Sequence, residues 1–445
     1  MRWLLLGALL CAAPPAGALP PDAPDAASPR LSTKIRLEWG LETQGSRAGD
    51  SQKLELAAEP DLQLPLPDGF RLEAIGRLRA DVYDRLGFTG EQSLEPMSRP
   101  IDVADHADLA LRELYVEGSV GPLWLRAGKQ QIVWGQADGL KLLDVVDPQE
   151  FREFILPPFD ESRIPLWSLD AELPVGKTRL QLVWVPDPST DVFPDPGKRF
   201  AFTTPLLLGP PAPPGLPVRV RHVDRPDDPI ADSDAGVRLS GSWHGWDLTA
   251  NYLFHTSDIP LPFHELSLAS GTPSAVVRPG FERTHLFGGS CSNAFGSVTV
   301  RCEFSYNLFY HSPAKSLDGN GVVRADQFDY MIGLDWYRFE ETLLSVQLFQ
   351  SWALQNASRL VRNLAETNAT FLARRQFLNQ RLTLEVMWIQ NLNRGDGMAR
   401  PKIRYELRDR LFVSLGFDWF YGKNRGLFGQ FDRNDRLVIG LEWGI

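Results

Sequence analysis

Segments of alternating hydrophobicity recur from Thr33 to the end of the chain, and the connections between them are sorted by length. Side chains along an extended strand alternate between two faces, so such a segment is apolar on one face and polar on the other. The segments read as strands are 33–43, 52–59, 70–83, 108–119, 122–134, 164–174, 178–185, 235–243 and 245–256, then 281–291, 297–310, 325–338, 342–354, 366–377, 381–392, 398–408, 411–421 and 435–445. If the last strand runs toward the periplasm, every second connection is a short turn. Asp409-Arg410, Leu378-Asn379-Gln380, Phe339-Glu340-Glu341, His244, Val175-Gly176-Lys177 and Val120-Gly121 all fall where short turns are required. The longer connections, 422–434, 355–365, 311–324, 257–280, 186–234, 135–163 and 84–107, fall on the opposite side. Two break the pattern: 60–69 is long for a turn, and 393–397 is short for a loop. A soluble sandwich has no reason to sort its loops in this way, whereas a bacterial transmembrane barrel does. The expected fold is therefore all-β: a transmembrane antiparallel β-barrel of about 18 strands, with 16 as the alternative.

The two ends of the chain agree with closure. Leu437, Ile439, Leu441, Trp443 and Ile445 share one face of the last segment, while Val438, Gly440, Glu442 and Gly444 share the other. Ile35, Leu37, Trp39 and Leu41 repeat the pattern in the first segment, and first and last strands must pair to close a barrel. The terminal Ile445 departs from the aromatic residue with which such barrels more often end.

Residues 1–18 read as a secretory signal, with Arg2, an apolar run from Trp3 to Ala13, and Ala16-Gly17-Ala18 as the cleavage site. Residues 19–32 are rich in Pro, Ala and Asp and read as a disordered leader, too short for a plug domain, leaving 33–445 for the barrel. No later stretch has the ~20 consecutive apolar residues of a membrane helix. The 13 Trp and 25 Phe suit the aromatic girdles of a barrel. The net charge of −10 argues against nucleic acid as a partner. The expected location is the outer membrane, with its lipid as surroundings and envelope export components as further partners.

The lumen face carries dense mixed charge: Arg71, Glu73, Arg77, Arg79 and Asp81 on the third strand, and Lys402, Arg404, Glu406 and Arg408 on the sixteenth. These are candidate pore-lining residues, read either as an electrostatic filter or as a solvated wall whose charges pair across strands. Asp147-Pro148 reads as an N-cap followed by Pro at the first helical position, which predicts a short helix over 148–155, a candidate constriction or a surface helix. The connection 186–234, with Pro210-Pro211-Ala212-Pro213-Pro214 at its centre, folds inward, caps the mouth or stays exposed. Cys291 and Cys302 flank a hairpin centred on Gly296-Ser297 and are expected to form a disulfide in an oxidising compartment.

The run Leu125-Arg126-Ala127-Gly128-Lys129-Gln130-Gln131-Ile132-Val133-Trp134-Gly135, followed by Val146-Asp147-Pro148, resembles a G-[KR]-Q-x-x-x-W-G strand and D/N-P loop. That pattern belongs to a poorly characterised family of Gram-negative outer-membrane barrels, to which the alginate-export porins look like distant relatives. The resemblance is clearest over roughly 110–185. It implies a link to export of lipid-like compounds, and it implies that Gly128, Gln130, Trp134, Gly135, Asp147 and Pro148 fix the strand and an inward-folding loop.

Catalysis is not expected. His255 and Ser257 lie two apart with Asn251 behind them, as in outer-membrane phospholipases, but the phase sends His255 to the lumen rather than to lipid. There is no H-E-x-x-H, P-loop, G-x-S-x-G or C-x-x-C-H, so neither metal nor cofactor is expected. The function expected is that of a porin-like outer-membrane channel for a small or amphipathic solute. The alternative is a structural sheath or export partner barrel working with an envelope transport system.

Overall fold

The computed structural model describes residues 28–87, 93–221, 223, 225–267, 273–316 and 319–445. The expected signal, 1–18, and residues 19–27 of the expected leader lie outside the described residues. The barrel strands are β1 (Arg30–Glu42), β2 (Ser51–Pro65), β3 (Arg71–Asp81), β4 (Ala107–Val120), β5 (Leu123–Gln130), β6 (Leu166–Val175), β7 (Thr178–Val185), β8 (Asp234–Trp243) and β9 (Trp246–Thr256). They continue with β10 (Arg283–Phe295), β11 (Val298–Leu308), β12 (Gln327–Trp336), β13 (Thr342–Ala353), β14 (Ala365–Phe377), β15 (Leu382–Asn391), β16 (Gly397–Arg408), β17 (Leu411–Tyr421) and β18 (Arg436–Gly444). Each pairs antiparallel with its sequence neighbours, and β1 pairs with β18 from Lys34↔Gly444 to Glu42↔Arg436. The result is a closed barrel of 18 antiparallel strands with almost no helix. Closure leaves no strand edge, so the backbone hydrogen bonds of the wall are satisfied within the sheet.

The wall follows the period-two pattern. Leu37, Trp39, Leu248, Phe304, Ile332, Leu334, Trp419, Leu441 and Trp443 are exposed on the outer face, although they are large and apolar. Such a band is unfavourable in water and favourable in hydrocarbon. The intervening residues turn into the lumen and are mostly polar, charged or small, apart from apolar patches such as Leu253, Leu286, Ile389 and Phe420.

β1 begins and β18 ends at one rim, where successive strands are joined by short turns; His244 and Gly245, both at positive φ (50° and 83°), form a two-residue hairpin. β2 runs on to Pro65, so the connection expected over 60–69 shrinks to 66–70 and joins the short turns. β1 begins at Arg30 rather than at 33. All the long connections emerge at the opposite rim, where 392–396 remains a tight hairpin. Part of the Pro-rich connection forms a small sheet there, with Val218–Val220 parallel to Ser274–Gly280 and the latter antiparallel to Leu261–Ser267. No helix among the described residues is long and apolar enough to cross a membrane.

Cys291 and Cys302 are direct cross-strand partners on β10 and β11, as the register predicts, but both thiols are free.

Candidate functional site

The 35-residue connection between β5 and β6, residues 131–165, turns down into the barrel instead of standing above it. Its base is built by the six residues singled out around the G-K-Q strand. Gly128 sits at φ 135°, and a Cβ there would lie 2.2 Å from the Leu114 carbonyl oxygen. The buried Gln130 amide donates to the Ser168 and Arg126 carbonyls, 3.2 Å each. Asp147 accepts the Ile132 amide at 2.8 Å, and the Pro148 carbonyl accepts the Ile164 amide at 2.8 Å. Gly135 passes so close to Asp144 that a Cβ would lie 2.8 Å from its amide nitrogen. Trp134 is fully buried and donates its indole N–H to Gln181 at 3.0 Å.

From this base the loop reaches every side of the lumen. On the wall of β6, β7, β9 and β10, Ile132, Trp134, Leu143 and Val146 pack with Leu166, Val183, Val185, Leu253 and Leu286. On β11 and β13, Glu303 accepts the Gln136 and Leu143 amides, Arg301 pairs with Asp138, and Gln347 donates to Asp138 at 3.0 Å. On the wall of β15–β17, Phe154 and Leu156 enter a cluster with Ile389, Met398, Phe420, Phe428 and Phe431. Phe154 lies 4.9 Å from the Phe431 ring centre. Each large apolar side chain so buried contributes ~1.5–3 kcal/mol.

The remaining side is ionic. Glu153 pairs with Lys53 and Arg436 at 2.7 Å each, and Arg152 with Glu55. Glu150 takes Arg79 at 2.8 Å and Arg77 at 3.3 Å. Glu161 pairs with Arg36 and with Lys34. Burial raises the Glu161 carboxyl, but Arg36 and then Lys34 outweigh it and hold it down at about 2. Glu153 is likewise held well below the usual range, where burial is overcome first by Lys53 and then by Arg436. Asp147 is pushed well above its ordinary value by burial and then by the Asp144 charge.

The loop 186–233 lies over this insert. Its first part docks inward: Val192 bridges to Glu150, Phe200 joins the phenylalanine cluster, and Gln430 accepts the Thr203 and Thr204 amides. The segment 148–155 is not the expected helix. Asp147 spends its carboxylate on Ile132, not on a helix N-terminus, and Gln149 and Glu150 are drawn out into bridges to Arg163 and Val192. A four-residue helical turn follows at Phe159–Ser162.

The charged face of β3 points inward, as its phase requires, but Glu73, Arg77, Arg79 and Asp81 are buried rather than open to the lumen; Arg71 is half-buried. Arg77 and Arg79 lie beneath the loop, both paired with Glu150. On β16, Lys402 and Arg408 are exposed, Arg404 pairs with Glu442 at 2.9 Å and stacks on Phe412, and Glu406 is half-buried. His255 turns inward, its Nδ1–H donating to the Thr256 carbonyl at 3.0 Å, with no hydrogen bond to Ser257 among the described contacts. Among the described residues no group of three or more His, Cys, Asp or Glu is placed to hold a metal ion.

The fold matches outer-membrane porin structures. OccK8 (OprE) of Pseudomonas aeruginosa aligns with TM-score 0.52 and 10% identity over 94% of this chain and 98% of its own. OccAB3 of Acinetobacter baumannii aligns with TM-score 0.51 and 9% identity over 94% and 99%. OccD3 (OpdP) of P. aeruginosa aligns with TM-score 0.51 and 9% identity over 94% and 92%. At such identities the likeness is one of fold. No curated protein matches the sequence. Residues 80–373, more than half of the chain and including β4–β13 and the whole inserted loop, match a family described as a protein of unknown function (DUF1302), and the chain belongs to that family.

Proposed function

We propose that this protein is an outer-membrane channel for a small or amphipathic solute, narrowed by the inserted loop 131–165. The observation that carries the reading is the pairing of two opposed designs in one lumen. An 18-stranded barrel encloses more space than wall side chains fill. Here much of the lumen is taken up by a segment that reaches opposite walls through apolar clusters and ion pairs, as deep as Lys34 and Arg301. The half nearer the short turns keeps a polar, charged lining, including Lys402, Arg404, Glu406 and Arg408. A barrel built only as a scaffold needs no such lining, and an open sieve needs no such insert. A constriction of this kind selects solutes by size and charge.

The inserted loop also favours a second reading, a barrel that opens only with an envelope export partner. Liposome swelling separates the two. Purified protein in liposomes is expected to admit a subset of sugars, organic acids and amphipathic compounds. Liposomes that stay impermeable to all of them, both with the intact protein and with the loop excised, would refute the channel and leave the partner-dependent barrel.

A further inference from the structure

Beneath the inserted loop, where β3, β4 and β5 meet the segment 94–100, lies a void of about 30 Å³. A single water needs ~10–15 Å³ of such volume, so the void admits one guest of water or halide size. Its lining includes Arg77, Arg79, Arg112, Lys129 and Glu150, and all four cations are less than a tenth exposed. Arg79 pairs with Asp108 and Glu150 at 2.8 Å each. Arg77 shares Glu150 at 3.3 Å, and its buried Nε has no hydrogen-bond partner.

The other two cations meet only backbone. Arg112 donates to the Asp160 carbonyl at 2.9 Å, and Lys129 to the Ser98 carbonyl at 3.3 Å. Neither forms an ion pair among the described residues. Asp187 attracts Lys129 from farther away, but its oxygens accept from Ser98, Ser189 and the Trp167 amide. Buried charge is tolerated when paired, and unpaired cations around a void call for a counterion.

We propose that this void binds one small monovalent inorganic anion of halide size, held between Arg77, Arg112 and Lys129. The site is independent of which solute the barrel passes. It explains Lys129, the charged residue between Gly128 and Gln130, by chemistry and not by the loop's geometry. Because Glu150 of the inserted loop and Ser98 of the preceding segment close the void, an anion there ties both to the β3–β5 wall.

Bromide is the probe. Crystals of the full-length protein grown in sodium bromide, measured at the bromine edge, are expected to show an anomalous peak in the void. In detergent, Tm is expected to rise saturably with sodium bromide but not with sodium gluconate at equal ionic strength. Lys129→Met is expected to weaken that bromide dependence at least tenfold. A void without a bromide peak overturns the proposal, as does a Tm that responds equally to both salts. If Lys129→Met does not fold, the bromide map and salt comparison on the unaltered protein still decide it.

Discussion

Glu153 is the loop residue whose removal tests the ionic anchor most cleanly. It is 4% exposed and bridges Lys53 of β2 and Arg436 of β18, at 2.7 Å each. Glu153→Gln keeps the shape and removes the charge. Lys53 retains Glu38 and Arg436 retains Asp418 at 2.7 Å, so neither wall cation is stranded. The cost therefore sits at the low end of the range for breaking a buried ion pair, about 3 kcal/mol. At ~1.4 kcal/mol per factor of ten, that shifts the docked-to-undocked ratio of the loop by about 100-fold. Single-channel recording in a planar bilayer reads this directly. The variant is expected to spend up to about 100-fold more time in a high-conductance state, with heat-modifiable gel migration unchanged because the wall is intact. A gating record indistinguishable from that of the unaltered protein would refute the ionic anchor.

Other outcomes follow from the same contacts. Burial raises Asp191, which accepts the Gln149 amide at 2.6 Å, to about 7 from 3.8. Docking therefore strengthens as the pH falls from about 7 toward 4, since the docked form binds the proton more tightly. Glu161, held at about 2 against 4.5, contributes above 4.5 and stops doing so as the pH falls through about 2. Openings should become rarer on mild acidification and return only near pH 2; openings that increase steadily from pH 7 to 5 would contradict this. Gly236→Val places a side chain where a Cβ already lies 2.7 Å from the Trp134 ring, and is expected to expel that ring and expose Lys141 to trypsin in proteoliposomes. Asp396→Ala removes the carboxylate that holds the Phe428 and Gly429 amides at 2.8 and 3.2 Å, costing about 1–3 kcal/mol and loosening the phenylalanine cluster to protease at 422–435. Alkylation of the unreduced chain cleaved after Ala18, and so without Cys11, should add two groups, at Cys291 and Cys302; an unmodified chain would show that they are bridged.

The wall was legible in the sequence because each strand separates lipid from lumen, and that separation writes a period of two into every segment. The Cys291–Cys302 register and the β1–β18 closure both came from that phase. An inward-folding loop was implied only by the resemblance of the G-K-Q strand, and which walls it meets was not legible. Trp134 continues the alternation of β5, yet it is a contact to β7 through Gln181. Leu143 and Val146 carry no period because they are spaced to meet walls far away in sequence. Asp147-Pro148 is a sound local helix signal, overridden by the longer-range bridge of Glu150 to Val192 and the hydrogen bond from Ile132. The inward face of Arg77 and Arg79 was readable, but their cover, Glu150, lies over 70 residues away. One signal did point to the insert: Gly128 and Gly135 bracket a strand end, where side chains would collide with Leu114 and Asp144.

The central claim is that loop 131–165 narrows a conducting lumen. Replacing residues 136–162 with a short Gly-Ser linker leaves all 18 strands in place, and bilayer conductance of that variant against the unaltered protein tests the claim most directly. The account predicts a small, intermittently open conductance for the unaltered protein and a large, steady one for the variant. Equal conductances in a variant that still migrates as a folded barrel would contradict it.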